Sequence, residues 1–322
     1  MSRTIAVISG LLLSFAAAAA SAADATYPSK TIRLIIPFAP GGPSDILARM
    51  VGQKLSERVG QQVVPDNRPS VGAIIGAELT AKSPPDGYTL LLSANSLLTI
   101  NPYVYKKLPY DPQKDLQPVS QLTEGGNVIV VHPSVPAKNI KGLIALAKAK
   151  PGEITYATTG TGPLLATANF KKMAGIDMLA VPYKGTGQAV IDLVAGHIHM
   201  FFMNPLVAIT NVKAGKLRAL AVTSMKRNRG LPDVPTVDES GVPGYKYITW
   251  HSIMAPGGTP QPIVQRLSGE IQKIVHLPDV QQRLHQQGLE AIGSTPEDLS
   301  KHIQEESVVF AQLVKAMGYQ PQ

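Results

Sequence analysis

The chain has 322 residues, a formal net charge of +8, 44% hydrophobic residues and no cysteine. This length allows two domains, the apolar content excludes wholesale disorder, and the lack of cysteine excludes disulfides, thiolate metal sites and thiol nucleophiles. The 30 basic residues outnumber the 22 acidic ones without forming a long run, which is not typical of a nucleic-acid-binding protein. The positive excess is interpreted as a contribution to solubility, with weak steering of anionic ligands as the alternative.

The first residues have the layout of a secretory signal peptide. Arg3 supplies a short positive region, residues 5–20 are apolar, and small residues at 21–23 precede Asp24. The apolar stretch is short for a membrane span, and an uncleaved anchor is the alternative interpretation. We therefore predict that residues 1–23 are a signal peptide cleaved near Ala23 and that the mature protein acts outside the cytoplasm.

The rest of the chain repeats a pattern of strand, glycine loop and helix. Residues 31–38 are rich in β-branched and apolar side chains and predict a buried strand, which a Gly-Gly-Pro loop ends. Ser44 is the predicted N-cap of the helix that follows. Further strands are predicted at 62–64, 88–93, 119–122, 127–131, 154–159, 179–183, 197–203 and 219–223, and helices at 46–59, 73–81, 140–150, 164–174, 188–195, 262–275 and 296–316.

This alternation predicts an α/β fold, and the number of strands favours two lobes over one large sheet. Each lobe is expected to hold a mainly parallel sheet flanked by helices. We predict that residues 24–124 and 249–322 form lobe 1 and that residues 125–248 form lobe 2. The C-terminal helices then return to lobe 1.

Three strand–glycine–helix junctions are candidate binding loops, at 38–45, 158–163 and 183–188. Ligands of open α/β sheets bind beyond the carboxyl ends of the strands, where free N–H groups at helix N-termini attract anions. Glycine allows close approach of the backbone, and the hydroxyls of Ser44, Thr159, Thr161 and Thr186 add donors. Several such groups together suit a carboxylate, whereas a single junction is more often an ordinary turn.

Motifs for nucleotides and for nucleophilic catalysis are absent from the sequence. It has no Gly-x-Gly-x-x-Gly, no phosphate-binding loop and no Gly-x-Ser-x-Gly elbow. The spacing of Ser44, Asp45 and His251 does not support a catalytic triad. We therefore predict no catalytic residue and no cofactor.

His197 and His199 form a His-x-His pair on a predicted strand, so both would project from the same face. No third ligand lies nearby, and we interpret the pair as the polar start of a strand, with no metal site. His251 follows Trp250 in the predicted crossover between lobes. For His251, the sequence leaves two interpretations open, contact with a ligand and a structural role.

Seven segments, taken together and in order, resemble the Bug family, the extracytoplasmic solute receptors of tripartite tricarboxylate transporters. The first contains Pro-Phe-Ala-Pro-Gly-Gly-Pro-Ser-Asp, and the third reads Pro-Pro-Asp-Gly-Tyr-Thr-Leu. The resemblance covers essentially the whole mature chain. The segments are 27–45, 67–69 with Gly72 and Gly76, 84–90, 181–185, 213–222, 231–241 and 255–260.

The resemblance implies a two-lobed periplasmic binding protein, a type II-like Venus flytrap that closes on a small carboxylic acid. It implies a periplasmic monomer whose partners are a large and a small integral-membrane transporter subunit. A sensory or orphan carboxylate receptor is the alternative, and a hydrolase on a similar scaffold is a weaker one. A non-enzymatic receptor is our interpretation.

Carried over to this sequence, the resemblance predicts ligand contacts from three loops and from isolated positions near them. The predicted ligand-binding residues are Phe38, Ala39, Gly42, Ser44, Asp45, Asn95, Thr158, Thr159, Gly160, Thr161, Tyr183, Lys184, Gly185, Thr186, Met203, Asn204 and His251.

Two of these positions depart from the family pattern. Met203 stands where an aspartate is common, and His251 stands where phenylalanine is more usual. Methionine offers no partner to an ammonium group and is compatible with aromatic rings. The hypothesis that follows is a ligand without an α-amino group, such as an aromatic dicarboxylate of phthalate type. The alternative is that Met203 packs into the core.

Overall fold

The computed structural model describes residues 27–183, 185–319 and 321. The predicted signal peptide and Lys184, a predicted ligand contact, lie outside the described residues. Over the part of the chain that is described, no helix combines the length and the apolar character needed to cross a bilayer.

Within the described residues, eleven strands form two sheets. The strands are β1 (Ile32–Ile36), β2 (Val63–Asn67), β3 (Thr89–Ala94), β4 (Leu116–Gly126), β5 (Val128–Val131), β6 (Thr155–Thr158), β7 (Leu179–Pro182), β8 (Met200–Met203), β9 (Arg218–Val222), β10 (Ile248–Pro256) and β11 (Glu290–Ala291).

Helices flank both sheets. A 3₁₀ turn at Val71–Ala73 lies directly before the second α-helix of the chain, and a π-helical turn at Ser96–Ile100 lies directly before the third α-helix. The α-helices are α1 (Pro43–Val59), α2 (Ile74–Ala81), α3 (Asn101–Val104), α4 (Ile140–Ala149), α5 (Thr161–Ala174), α6 (Thr186–Val194), α7 (Pro205–Lys213), α8 (Gln261–Val275), α9 (Pro278–Gln286) and α10 (Pro296–Ala316).

The sheet of lobe 1 has the order β11-β4-β10-β3-β1-β2, and the sheet of lobe 2 has the order β7-β6-β8-β5-β9. In lobe 1, β1 pairs in parallel with β2 and β3, whereas β10 is antiparallel to β3 and β4. In lobe 2, β5 is antiparallel to both of its neighbours. Both sheets are therefore mixed, while the sequence predicts mainly parallel pairing. An apolar run indicates a buried strand but not the direction of its neighbour.

The core of lobe 1 lies on both faces of its sheet, because successive side chains of a strand point to opposite faces. Leu34 and Ile36 of β1 pack in the cluster that includes α1 and α8. Ile35, between them, packs in the cluster that includes α2 and the first half of α10. The helices thus cover the central strands completely and leave the strand ends free to carry loops.

The longest helix, α10, belongs to the cores of both lobes. Leu299 and Ile303 pack against the first sheet, whereas Phe310 and Val314 pack in the main cluster of lobe 2. A part of the chain that the sequence assigns to lobe 1 therefore also builds the interior of lobe 2. The predicted lobe boundaries stay a prediction.

Several local predictions differ from the structure. The π-helical turn, α3, α7, α9, β10 and β11 are not predicted, and the N-cap of α1 is Gly42 instead of Ser44. His251, predicted in a crossover between lobes, lies on β10, which pairs with β3 and β4. His197 and His199 precede β8, because pairing with β5 and β6 starts at Met200. His199 Nδ1 accepts from the Thr155 N–H at 3.0 Å. Among the described residues, no group of three metal-ligating side chains is placed to hold an ion.

Candidate functional site

The loop that follows β1 is fixed by the Asp45 carboxylate. It accepts hydrogen bonds from the Gly41 N–H at 2.9 Å, from Arg49 Nε at 3.0 Å and from Asn67 Nδ2 at 2.9 Å. Burial alone would raise the pKa of Asp45, but the hydrogen bonds from Arg49, Gly41 and Asn67 outweigh it and lower the pKa below its usual value. Asp45 therefore holds the loop in shape, and its charge is already paired.

Three further predicted residues meet at the same end of this sheet. Ser44, in the first turn of α1, places its Oγ 3.0 Å from Nε2 of His251. His251 pairs in register with Ala94, the last residue of β3, and Asn95 directly follows Ala94 in the chain. The Asn95 side chain donates to the Ile248 carbonyl at 3.1 Å. Phe38, Ala39 and Gly42 lie on the intervening loop, with Ala39 exposed and the other two half-buried.

The second group of predicted residues lies at the carboxyl ends of β6, β7 and β8, which are parallel neighbours. The Tyr183 N–H donates to the Thr158 carbonyl at 2.8 Å, so the loops after β6 and β7 lie side by side. The Tyr183 hydroxyl donates to Asp192 at 2.7 Å. The Asn204 side chain caps α7 by accepting from the Leu206 N–H at 3.0 Å.

Met203 lies in the core of lobe 2. Its exposed fraction is 0%, and it belongs to the cluster built by β5, α6 and α7. In this conformation it offers no surface to a ligand. Of the two interpretations of this methionine, the structure supports packing.

The two lobes approach each other through the loop after β6. Thr161 Oγ1 donates to Asn101 Oδ1 at 2.9 Å, and Asn101 follows the π-helical turn that begins after Asn95. Within lobe 2, a Cβ atom at Gly162 would lie 2.5 Å from the Tyr247 hydroxyl, so glycine allows this loop to pack closely on Tyr247. The loops 38–45 and 183–186 are not joined by a hydrogen bond among the described residues.

The helices that start at the three predicted loops all have glycine as the N-cap residue. The N-caps of α1, α5 and α6 are Gly42, Gly160 and Gly185, and none of them receives a side-chain capping hydrogen bond. The N-caps of α2, α3, α8 and α9 also receive no side-chain hydrogen bond, but none of them is glycine, whereas α4, α7 and α10 are capped by Asn139, Asn204 and Thr295. An uncapped N-terminus keeps N–H donors and a partial positive charge available to an anion. Both lobes therefore present such donors beside the predicted residues.

The structure adds residues that the sequence reasoning missed. Asn101 accepts the hydrogen bond that joins the lobes, Tyr247 packs on Gly162 within lobe 2, and Thr99 and Glu306 brace the π-helical turn. Asn101 followed by Pro102 is a recognisable helix start, which could have indicated α3. Tyr247 and Glu306 have no local signal, because their contacts are distant in sequence.

Two surface cavities lie away from these loops. One, of about 600 Å³, lies between the end of α7 and α9 and includes Lys213, Arg229 and His285. The other, of about 300 Å³, follows the π-helical turn and includes Tyr103 and Tyr105. Neither includes a predicted ligand-binding residue.

The chain is similar to known proteins over nearly its whole length. Residues 47–319 match the family described as the tripartite tricarboxylate transporter family receptor. Protein BugT of Bordetella pertussis is 36% identical over 321 residues, which cover 99% of this chain and 98% of BugT.

Two solved structures share the fold at substantial identity. Rpa4515 of R. palustris, solved with adipate, is 34% identical with a TM-score of 0.88, and the match covers 92% of this chain and 100% of that one. The periplasmic binding protein BugD is 32% identical with a TM-score of 0.84 and the same coverage of both chains. The predicted two-lobed periplasmic binding protein fold is confirmed.

Proposed function

The chain belongs to the tripartite tricarboxylate transporter family of receptors, and on that premise we propose that it captures a small carboxylic acid between its lobes and delivers it to such a transporter. The observation that carries this proposal is the set of three glycine N-caps without side-chain caps, one in lobe 1 and two in lobe 2. Helix N-termini with free N–H groups in both lobes suit an anion with two charged ends. Adipate, with which the similar protein Rpa4515 was solved, is a ligand of that class.

We further propose that the ligand carries no α-amino group. An ammonium group needs a carboxylate partner, and the Asp45 carboxylate is already paired with Arg49. Phe38 and Tyr183 place half-buried aromatic rings on loops of the two lobes. They favour a flat ligand, and an aromatic dicarboxylate of phthalate type is our candidate.

Delivery requires that the lobes move about the segments that join them. At the junction of β4 and β5, the Asn127 N–H donates to Thr223 Oγ1 at 2.7 Å, and Thr223 Oγ1 donates to the Tyr247 carbonyl at 2.7 Å. We propose that this cluster is the hinge and that lobe 1 comprises 24–124 and 249–322. The partners are a large and a small membrane subunit, and the receptor acts as a periplasmic monomer.

A thermal-shift and calorimetry panel with the mature protein tests the ligand class. Phthalate, adipate and malate should raise the melting temperature, whereas dimethyl phthalate and glutamate should not. A ligand that binds only the folded state stabilises it by about 2.7 kcal/mol at about 100 times its Kd. Equal shifts with the uncharged ester, or binding of glutamate alone, would contradict the proposal.

A carboxylate built into one helix N-terminus should compete with the ligand. At Gly185 the backbone is extended, with φ −171°, and a Cβ would meet no heavy atom within 4 Å. Gly185→Asp should therefore fold normally and weaken adipate or phthalate binding roughly ten-fold, since its own carboxylate occupies the donors of α6. Gly269→Asp in α8, where a Cβ also meets nothing within 4 Å, adds the same charge and should leave affinity unchanged. Equal effects of the two variants would indicate only a change of net charge.

A further inference from the structure

The pair formed by Ser44 and His251 joins the start of α1 to the middle of β10. The two residues are 207 positions apart, and their Oγ and Nε2 atoms are separated by 3.0 Å. His251 is 4% exposed, and its Nδ1 atom has no hydrogen-bond partner among the described residues. Thr123 Oγ1, on the residue opposite His251 in β4, also has none there. His251 thus has one nitrogen engaged with Ser44 and one buried without a partner.

The protonation state of His251 decides what Ser44 can do. Burial lowers the pKa of His251 to about 4, so the ring is neutral at neutral pH and carries a single N–H. If Nε2 carries the proton, it donates to Ser44 Oγ and leaves the serine hydroxyl proton free for a third group. If Nδ1 carries it, Ser44 must donate to the ring and presents only lone pairs to the cleft.

The first tautomer fits the surroundings better. A proton on Nδ1 would create a buried N–H without an acceptor, which is rarer in proteins than an unsatisfied acceptor. The free main-chain N–H groups at the start of α1 already favour an anion beside Ser44. A serine hydroxyl that donates a hydrogen bond favours an anion, as those N–H groups do.

We propose that His251 is a positioning residue that holds Ser44 Oγ as a hydrogen-bond donor to one carboxylate of the ligand, and so selects an acceptor over an ammonium group at that end. This inference rests on the proposed function, because it assigns a role to a contact within the same site. It also explains why a polar ring is retained in a buried strand.

Variants of His251 separate positioning from packing. His251→Phe keeps an aromatic ring, slightly larger than imidazole, and removes the unpartnered Nδ1, so the protein should be about as stable as the wild type. Its affinity for phthalate or adipate should nevertheless fall about ten-fold, as expected for the loss of one hydrogen bond. Ser44→Ala should lose a similar factor. His251→Gln places an amide donor near the position of Nε2 and should restore most of the affinity.

A double-mutant cycle measured by calorimetry gives the decisive result. If His251 acts through Ser44, the double variant that combines His251→Phe with Ser44→Ala binds phthalate or adipate no more weakly than Ser44→Ala alone. His302→Phe, which alters another half-buried imidazole that stacks on Trp250 at 5.1 Å, should leave affinity unchanged. If the two single losses of affinity multiplied in the double variant, or if His251→Phe bound with wild-type affinity, the inference would be overturned. The proposed receptor function would remain intact in both cases. A wild-type protein that binds neither acid would contradict the proposed function itself.

Discussion

Replacing Glu306 by glutamine should stabilise the protein at about pH 8 by on the order of 2 kcal/mol and should remove a loss of stability that the wild type shows between about pH 5 and pH 8. Glu306 lies in α10 between the residues that pack on the two lobes. Its Oε1 accepts from Trp250 Nε1 at 3.0 Å, and its Oε2 lies 2.7 Å from Thr99 Oγ1. Burial raises the pKa of Glu306 to about 7, although hydrogen bonds from Thr99 and Trp250 oppose the rise.

The hydrogen bonds around Thr99 explain why the neutral side chain fits. Thr99 Oγ1 also lies 2.9 Å from the Asn95 carbonyl, and a hydroxyl has only one proton to give. When Glu306 is protonated, it donates to Thr99, and Thr99 donates to Asn95. When Glu306 is ionised, Thr99 cannot serve both acceptors. Glutamine reproduces the protonated arrangement, since its Nε2 donates to Thr99 and its Oε1 accepts from Trp250.

The direction of the pH dependence follows from the two pKa values. Unfolded Glu306 titrates at its ordinary value of 4.5, whereas the folded side chain titrates at about 7. Its stabilising contribution is therefore complete below pH 4.5 and is lost as the pH rises through about 7. Urea unfolding of the wild type and of Glu306→Gln, at about pH 5 and at about pH 8, measures how the free energy of unfolding of each protein depends on pH.

A neighbouring glutamate provides the control for this prediction. Glu305 is exposed on the same helix and forms only a 3.9 Å ion pair with Lys301. Glu305→Gln should change stability by less than about 0.5 kcal/mol and should keep the wild-type pH dependence. The prediction would be contradicted if Glu306→Gln were less stable than the wild type at about pH 8, or if its free energy of unfolding depended on pH as that of the wild type does. Either result would show that the folded Glu306 side chain is ionised without penalty.

The loops of the candidate site were predictable because their signals are local. A glycine pair after an apolar strand predicts both the end of β1 and the close approach of a ligand, whatever the rest of the chain does. The same reasoning predicts loops at 158–163 and 183–188, but α5 and α6 begin at Thr161 and Thr186, three and two residues before the predicted helix starts. Ser44 was chosen as N-cap on residue preference, but Pro43 fits the first helical position and makes Gly42 the cap.

The remaining features depend on pairing partners that a local pattern does not contain. Residues 197–203 alternate like one strand, yet only Met200–Met203 has partners in β5 and β6. The contact of Ser44 with His251 spans 207 positions. The π-helical turn at Ser96–Ile100 has no matching apolar period, and it is braced by Glu306 from the far end of the chain. Local patterns therefore predict where the loops lie, whereas the long-range contacts that position them appear only in the folded chain.

Truncation of Phe310 to alanine should cost about 3–5 kcal/mol, because it leaves a cavity where α10 enters the core of lobe 2. Phe310 is 6% exposed and meets the Tyr247 ring edge-to-face at a centroid distance of 6.3 Å. Tyr247 also contacts the loop after β6 through Gly162. The variant should therefore loosen the second lobe and the approach of the lobes together, and it should weaken ligand binding as well as stability.

Val309→Ala is the matched control, because Val309 lies on the same helix and is 60% exposed. It should change the free energy of unfolding by less than about 0.5 kcal/mol. Hydrogen exchange should show that Phe310→Ala deprotects β5 and β8 of lobe 2 more than β1 and β3 of lobe 1. Equal deprotection of both sheets would mean that α10 stabilises the protein as a whole. A loss below about 1 kcal/mol would mean that lobe 2 does not depend on this helix, and the lobes could then move without bending α10 between Ile303 and Phe310.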